Sequence, residues 1–199
     1  MKSKLILGTV QFGLNYGINN TIGKLNEDQI FELFETAYDL GIRTLDTAEA
    51  YGNAHHIISN FHKQSRNKFN IISKYSRSSY DYPVDLVERI KVHCLNFSID
   101  YLEAYMFHSF KDFMINIDKD AQVLDKIKDS GLAQKIGVSV YTNDEIEELL
   151  NHKNIDLIQL PFNLLDNEYQ RKNILEKAKK RNIEIHTRSV FLQGLFFKD

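Results

Sequence analysis

The stretch GIRTLDTAEAYGNA, residues 41–54, runs from a helix end through a strand into a polar turn. Ahead of it, Ile30, Leu33, Phe34, Ala37 and Leu40 recur at helical spacing. Gly41 stands where a C′ glycine closes such a helix. The run Ile42–Leu45 is the next strand, and a carboxylate, Asp46, follows it at once. Tyr51 comes five residues later, then Gly52. Taken alone, Asp46 reads as an acid that ends a strand and Tyr51 as a ring packed on a loop. The rest of the chain decides otherwise.

The same unit recurs on both sides. Leu5–Phe12 reads as a strand, followed by a Gly/Asn-rich loop over Gly13–Gly23. Asn26, with Gln29 three residues on, reads as a capping box that opens the first helix. Beyond residue 54, helices near Asn53–Gln64, Val84–Phe97, Lys119–Ser130, Asp144–Leu150 (capped by Asn143) and Glu168–Lys180 alternate with strands. Those strands are Phe69–Ser73, Leu102–Phe107, Lys135–Ser139, Ile155–Leu160 and Ile183–His186. Seven strands and six helices in strict alternation predict right-handed βαβ units and a parallel α/β sheet. The strands are apolar on both faces, as sheets covered on both sides require. No G-x-G-x-x-G follows the first strand, so a Rossmann-type site has no support. The prediction is an incomplete TIM (β/α)8 barrel, a single domain over residues 1–199. A complete barrel takes eight strands and about 250 residues, so the last βα unit is expected to be missing.

Composition narrows the function. A net charge of −2 over 199 residues, without a Lys/Arg block, gives no footprint for nucleic acid or an anionic membrane. The single Cys94 excludes an intrachain disulfide, fits a reducing compartment, and sits on an apolar helix face as a core residue. Leu5–Leu7 is too short for a signal peptide or a membrane span, so the expectation is cytoplasmic. His55 and His56 are adjacent, face different sides of a helix, lack a third ligand, and read as surface or cap residues. No metal site is expected.

In a barrel, reactive groups gather at the C-terminal ends of the strands. Those ends carry Asp46, Lys74, His108, Ser139 and Gln159, with Tyr51 in the loop after the second strand. The set suits proton donation to a carbonyl. A phenol has an ordinary pKa of about 10, and a buried ammonium beside it favours phenolate and draws that value down. A carboxylate next to the lysine keeps it charged and in place. A neutral imidazole orients the substrate oxygen. Side chains supply no hydride; a nicotinamide does.

The chain resembles the aldo-keto reductases. The matching stretches are LGTVQFG (7–13), GIRTLDTAEAYGNA (41–54), IISKY (71–75), YMFHSF (105–110), KIGVSVY (135–141) and LIQLPFNLLD (157–166), in family order along essentially the whole chain. The resemblance implies NADPH-dependent reduction of an aldehyde or ketone. Tyr51 is then the general acid, Lys74 and Asp46 its tuning pair, and His108 the group that orients the carbonyl. Ser139 and Gln159 match positions that hold the nicotinamide carboxamide. Gly8 and Thr9 match the turn that borders the cofactor, and Arg188 and Ser189 fall on the seventh-strand motif. A small carbonyl compound, with sugar-derived ones among the candidates, is the implied substrate.

Three departures stand out. Val140 follows Ser139 where the family often has Asn. RSVFLQG (188–194) puts Arg188 where an aromatic ring usually stacks on the nicotinamide; a guanidinium is also planar and able to stack. The basic residues that clamp the 2′-phosphate in the family have no counterpart before Asp199. An open barrel leaves two strand edges unpaired, which invites self-association. The chain accordingly reads as truncated at its C-terminus. The alternative function is a non-catalytic module that needs a partner chain.

Overall fold

A computed structural model describes residues 3–80 and 84–198. The chain order is β1 Leu7–Gly8, α1 Val10–Gly13, α2 Glu27–Asp39, β2 Thr44–Asp46, α3 Ala54–Gln64 and β3 Asn70–Tyr75. Next come α4 Leu86–Phe97, β4 Leu102–Phe107, α5 Phe110–Lys119, α6 Val123–Ser130 and β5 Ala133–Ser139. The order ends with α7 Asn143–Leu149, β6 Leu157–Pro161, α8 Glu168–Lys180 and β7 Glu184–Arg188. All neighbouring pairs are parallel, and the strands stand in the sheet in sequence order. The result is the curled, incomplete (β/α)8 barrel that the alternation predicts, with β1 and β7 as its edges.

Local chemistry sets the element ends. Asn26 accepts from the Gln29 amide at 2.9 Å while the Gln29 side chain accepts from the Asn26 amide at 3.0 Å, the expected capping box. Gly41 has φ +86°, which a side chain would oppose. Three expectations change. The first strand shrinks to two residues, because Val10–Gly13 turns helical and drops Phe12 against Phe34 at 5.3 Å. A helix over Phe110–Lys119 was not foreseen. Ser109 opens it by accepting from the Asp112 amide, and the extended backbone of Asp120 separates it from α6. Six predicted helices therefore become eight α-helices among the described residues. The cap of α7 is Thr142, not Asn143, with Glu145 completing its capping box.

The strand faces divide cleanly. Leu45, Ile71, Tyr105, Phe107, Ile136, Val138 and Ile158 join the helices in the main core. Phe34 is its centre near β2, packed on Phe61 and Phe69. Cys94 is buried in that core, as its helix face predicts. Ile72, Ala104, Met106 and Leu157 form a second, smaller cluster on the concave face. Residues of this second parity therefore reach the inner face, and Asp46, Lys74 and Gln159 share it. No helix among the described residues is long and apolar enough to cross a membrane.

Candidate active site

Asp46 closes β2 and holds three elements together. Its carbonyl accepts from the Thr9 amide and from Thr9 Oγ1, each at 3.0 Å. One carboxylate oxygen is ion-paired with Lys74 Nζ, and the other accepts from Gln159 Nε2. Lys74 also donates to the Thr47 carbonyl at 3.2 Å. The lysine side chain is 1% exposed and that of Asp46 16%. The Asp46–Gln159 bond measures the curl of the sheet. β2 and β6 lie four strands apart, a separation of about 19 Å in a flat sheet. Their side chains touch because the sheet closes around the site.

Tyr51 hangs over this pair from the loop after β2. The loop first follows β3, with the Thr47 amide on the Ile72 carbonyl at 2.9 Å and the Glu49 amide on the Lys74 carbonyl at 3.1 Å. It then turns back, the Tyr51 amide bonding the Ala48 carbonyl at 3.0 Å. Two glycines allow this course. A side chain on Gly13 would run into the Tyr51 carbonyl, and Gly52, at φ +53°, lies against the Gly13 backbone. Lys74 Nζ stands 5.4 Å from the Tyr51 ring centre, and the His108 ring meets Tyr51 edge-on at 5.6 Å.

The electrostatics correct one expectation. Burial raises the Tyr51 phenol above its ordinary value, with the Asp46 charge adding to it; Lys74 pulls the other way without winning. The ammonium thus limits a burial effect and does not bring the phenol towards neutrality. Burial and then Lys74 hold the His108 imidazole below its usual range, so the ring is neutral at pH 7. Its Nδ1 is buried and has no hydrogen-bond partner among the described residues.

The model for the aldo/keto reductase family matches residues 4–199. The chain belongs to that family. It is similar to aldo-keto reductase YhdN of Bacillus subtilis strain 168, at 25% identity over 91% of this chain and 56% of that protein. It is also similar to the NADH-specific methylglyoxal reductase of Escherichia coli K12, at 25% identity over 97% of this chain and 65% of that one. Among solved structures, the holo form of an aldo-keto reductase from Bacillus halodurans shares the fold with a TM-score of 0.76. That pair is 20% identical over 98% of this chain and 64% of the other. The chain therefore spans between about half and two thirds of the length of the curated relatives it matches.

The remaining positions read from the aldo-keto reductase resemblance are spread along the same rim. Ser139 and Gln159 are register partners on β5 and β6, and both are buried. Arg188 Nε reaches Ser139 Oγ at 3.4 Å and Nη2 the Val140 carbonyl at 3.3 Å, while the guanidinium lies over the Tyr141 ring at 4.2 Å. Tyr141 was not singled out from the sequence. The signal was an aromatic residue two positions past a strand end. Gly8 is exposed with open space where a side chain would project. Thr9 is fully buried, its hydroxyl spent on Asp46. Ser189 adopts φ +56°, and its carbonyl accepts from Asn163 Nδ2 at 3.3 Å.

His56 is exposed as expected, whereas His55 is half-buried. Its Nε2 lies 3.2 Å from Ser73 Oγ, and its ring packs edge-on against His93 and Phe97 at 5.0 Å each. Burial, then His93, hold its pKa at about 3 against an ordinary 6.5. Between those values the unfolded chain binds a proton at His55 that the folded chain excludes. Stability must then fall as pH drops through that window. His55→Gln is expected to flatten this acid limb in urea midpoints measured from pH 7 to pH 4; an unaltered limb refutes the assignment.

Proposed function

We propose that this family member reduces a small aldehyde or ketone with a nicotinamide cofactor. The observation that carries the reading is the meeting of Asp46, Lys74, Tyr51 and His108 at one rim of the curled sheet, from β2, its loop, β3 and the end of β4. Tyr51 Oη gives its proton to the substrate oxygen. Burial keeps the phenol protonated at neutral pH, the form that donates, and the Lys74 ammonium stabilises the phenolate as it forms. Asp46 holds Lys74 charged and fixed. His108, neutral and with an unpaired ring nitrogen, orients the substrate oxygen.

The donor set fits a nicotinamide carboxamide. The Ser139 hydroxyl accepts only a long contact from Arg188 and has its hydrogen to give. Gln159 uses its amide nitrogen on Asp46, which leaves its oxygen to accept. The bound cofactor supplies hydride. NADPH is the proposed form, and the comparison with an NADH-specific relative makes the preference worth measuring. That relative's substrate suggests a small oxo-aldehyde first, with sugar-derived aldehydes next.

A titration with NADPH and NADH, read by the cofactors' own fluorescence in a protein without Trp, tests the reading. Saturable micromolar binding followed by turnover of methylglyoxal or another short aldehyde is the expected result. A folded chain that binds neither cofactor overturns it. Arg188 adds a finer expectation. A fixed positive charge beside a ring that becomes cationic on oxidation disfavours the oxidised cofactor, so Arg188→Tyr should raise the affinity for NADP+ relative to NADPH. An unchanged ratio removes that role.

A further inference from the structure

Glu49 sits between Asp46 and Tyr51 in sequence, yet its carboxylate belongs to neither. It is 2% exposed and turns into the helix layer outside the sheet. Oε1 accepts from Arg89 Nε at 3.0 Å and Tyr105 Oη at 3.3 Å, and lies 2.6 Å from His93 Nε2. Oε2 takes the Ser76 amide at 3.4 Å. Burial alone would raise this acid, but His93, Tyr80 and Arg89 together hold it below its ordinary range. It is therefore ionised at neutral pH. A carboxylate can only accept, so His93 Nε2 is the donor in that contact.

Such a cluster is a poor way to gain stability. Burying ions costs several kcal/mol each, and apolar replacements of similar volume often match or exceed a buried ion pair. What the cluster does provide is placement. The Glu49 amide bonds the Lys74 carbonyl, and the Glu49 carboxylate bonds the Ser76 amide. One residue thus grips the end of β3 on both sides of Tyr75, directly after Lys74, just where the loop leaves that strand and turns back to Tyr51.

We infer that Glu49 is a positioning residue, an ionic peg driven between β3 and α4 that sets the Tyr51 phenol against Lys74. The catalytic consequence rests on the function proposed above; the placement itself does not. A positional error of about 1 Å at a reacting group can cost around a hundredfold in rate.

The test uses the full chain labelled with 3-fluorotyrosine, with the Tyr51 resonance assigned by its loss in Tyr51→Phe. Glu49→Gln keeps the shape and removes the charge; Glu49→Asp keeps the charge and shortens the reach, and serves if the first variant does not fold. The Tyr51 resonance is expected to shift or broaden in these variants while that of exposed Tyr169 stays in place. The turnover number with a short aldehyde should fall by about ten- to a hundredfold, with nicotinamide affinity unchanged. A Tyr51 resonance that does not move in either folded variant overturns the inference, as does unchanged turnover where the parent chain is active. If the wild-type chain turns over no carbonyl but the resonance moves, the placement stands and only the reductase reading falls.

Discussion

Tyr51→Phe is expected to abolish carbonyl turnover while nicotinamide binding survives. The substitution removes one hydroxyl and leaves the ring where it packs against His108 and under Lys74. No other described phenol stands with both of those groups, so the substrate oxygen loses its proton donor. General acid catalysis contributes about 10²- to 10⁴-fold in rate, and a drop of at least that order is expected in the turnover number. The cofactor titration should be nearly superimposable on that of the parent chain, since Ser139, Gln159 and Arg188 are untouched. Full activity in Tyr51→Phe would sink the mechanism. Loss of both activity and binding would instead assign Tyr51 to cofactor support.

Lys74→Met should be the most damaging single change to the fold at this site. The lysine is 1% exposed and ion-paired with Asp46. Methionine fills a similar volume but leaves a carboxylate with Gln159 as its remaining side-chain donor. Breaking a buried pair by removing one partner costs about 3–5 kcal/mol, because the surviving charge stays desolvated. Turnover should vanish as well, since nothing then stabilises the phenolate that forms on Tyr51. Combining Lys74→Met with Asp46→Asn should recover much of the stability without the activity, because the orphaned charge is gone. Urea unfolding of the parent, the single and the double variant decides it. A single variant as stable as the parent would mean that the pair is solvated in solution.

The local patterns were legible in the residues. Helical spacing and a capping box place α2, and Gly41 ends it at positive φ, because these depend only on neighbours within a few positions. Strict alternation of apolar strands with helices yields a parallel sheet, and parallel strands point their C-terminal ends to one rim. Asp46, Lys74, His108, Ser139 and Gln159 could therefore be assigned to a common edge without coordinates.

What neighbours in sequence do not encode went unseen. The predicted first strand is largely apolar, yet it turns helical after Thr9, where Phe12 packs on Phe34 instead of extending the ladder. The helix Phe110–Lys119 was missed although Phe110, Phe113, Met114 and Ile117 recur at helical spacing, a signal the sequence does carry. His55 looked like half of a surface pair and is half-buried, because its ring packs on His93 and Phe97 from α4. Glu49 was one more acid in a polar turn until Arg89, His93 and Tyr105 arrived from α4 and β4 to enclose it.

By itself the sequence determined the order of the strands, the rim they share and the residue types that meet there. Those follow from periodicities of 3.6 and 2 and from short-range caps. Only the tertiary structure decided that β2 and β6 come within reach of one another, that burial outweighs Lys74 at Tyr51, and that Glu49 grips the end of β3. Each of these depends on the curl of the sheet and on water being excluded beneath it, and both arise from contacts between residues far apart in the chain.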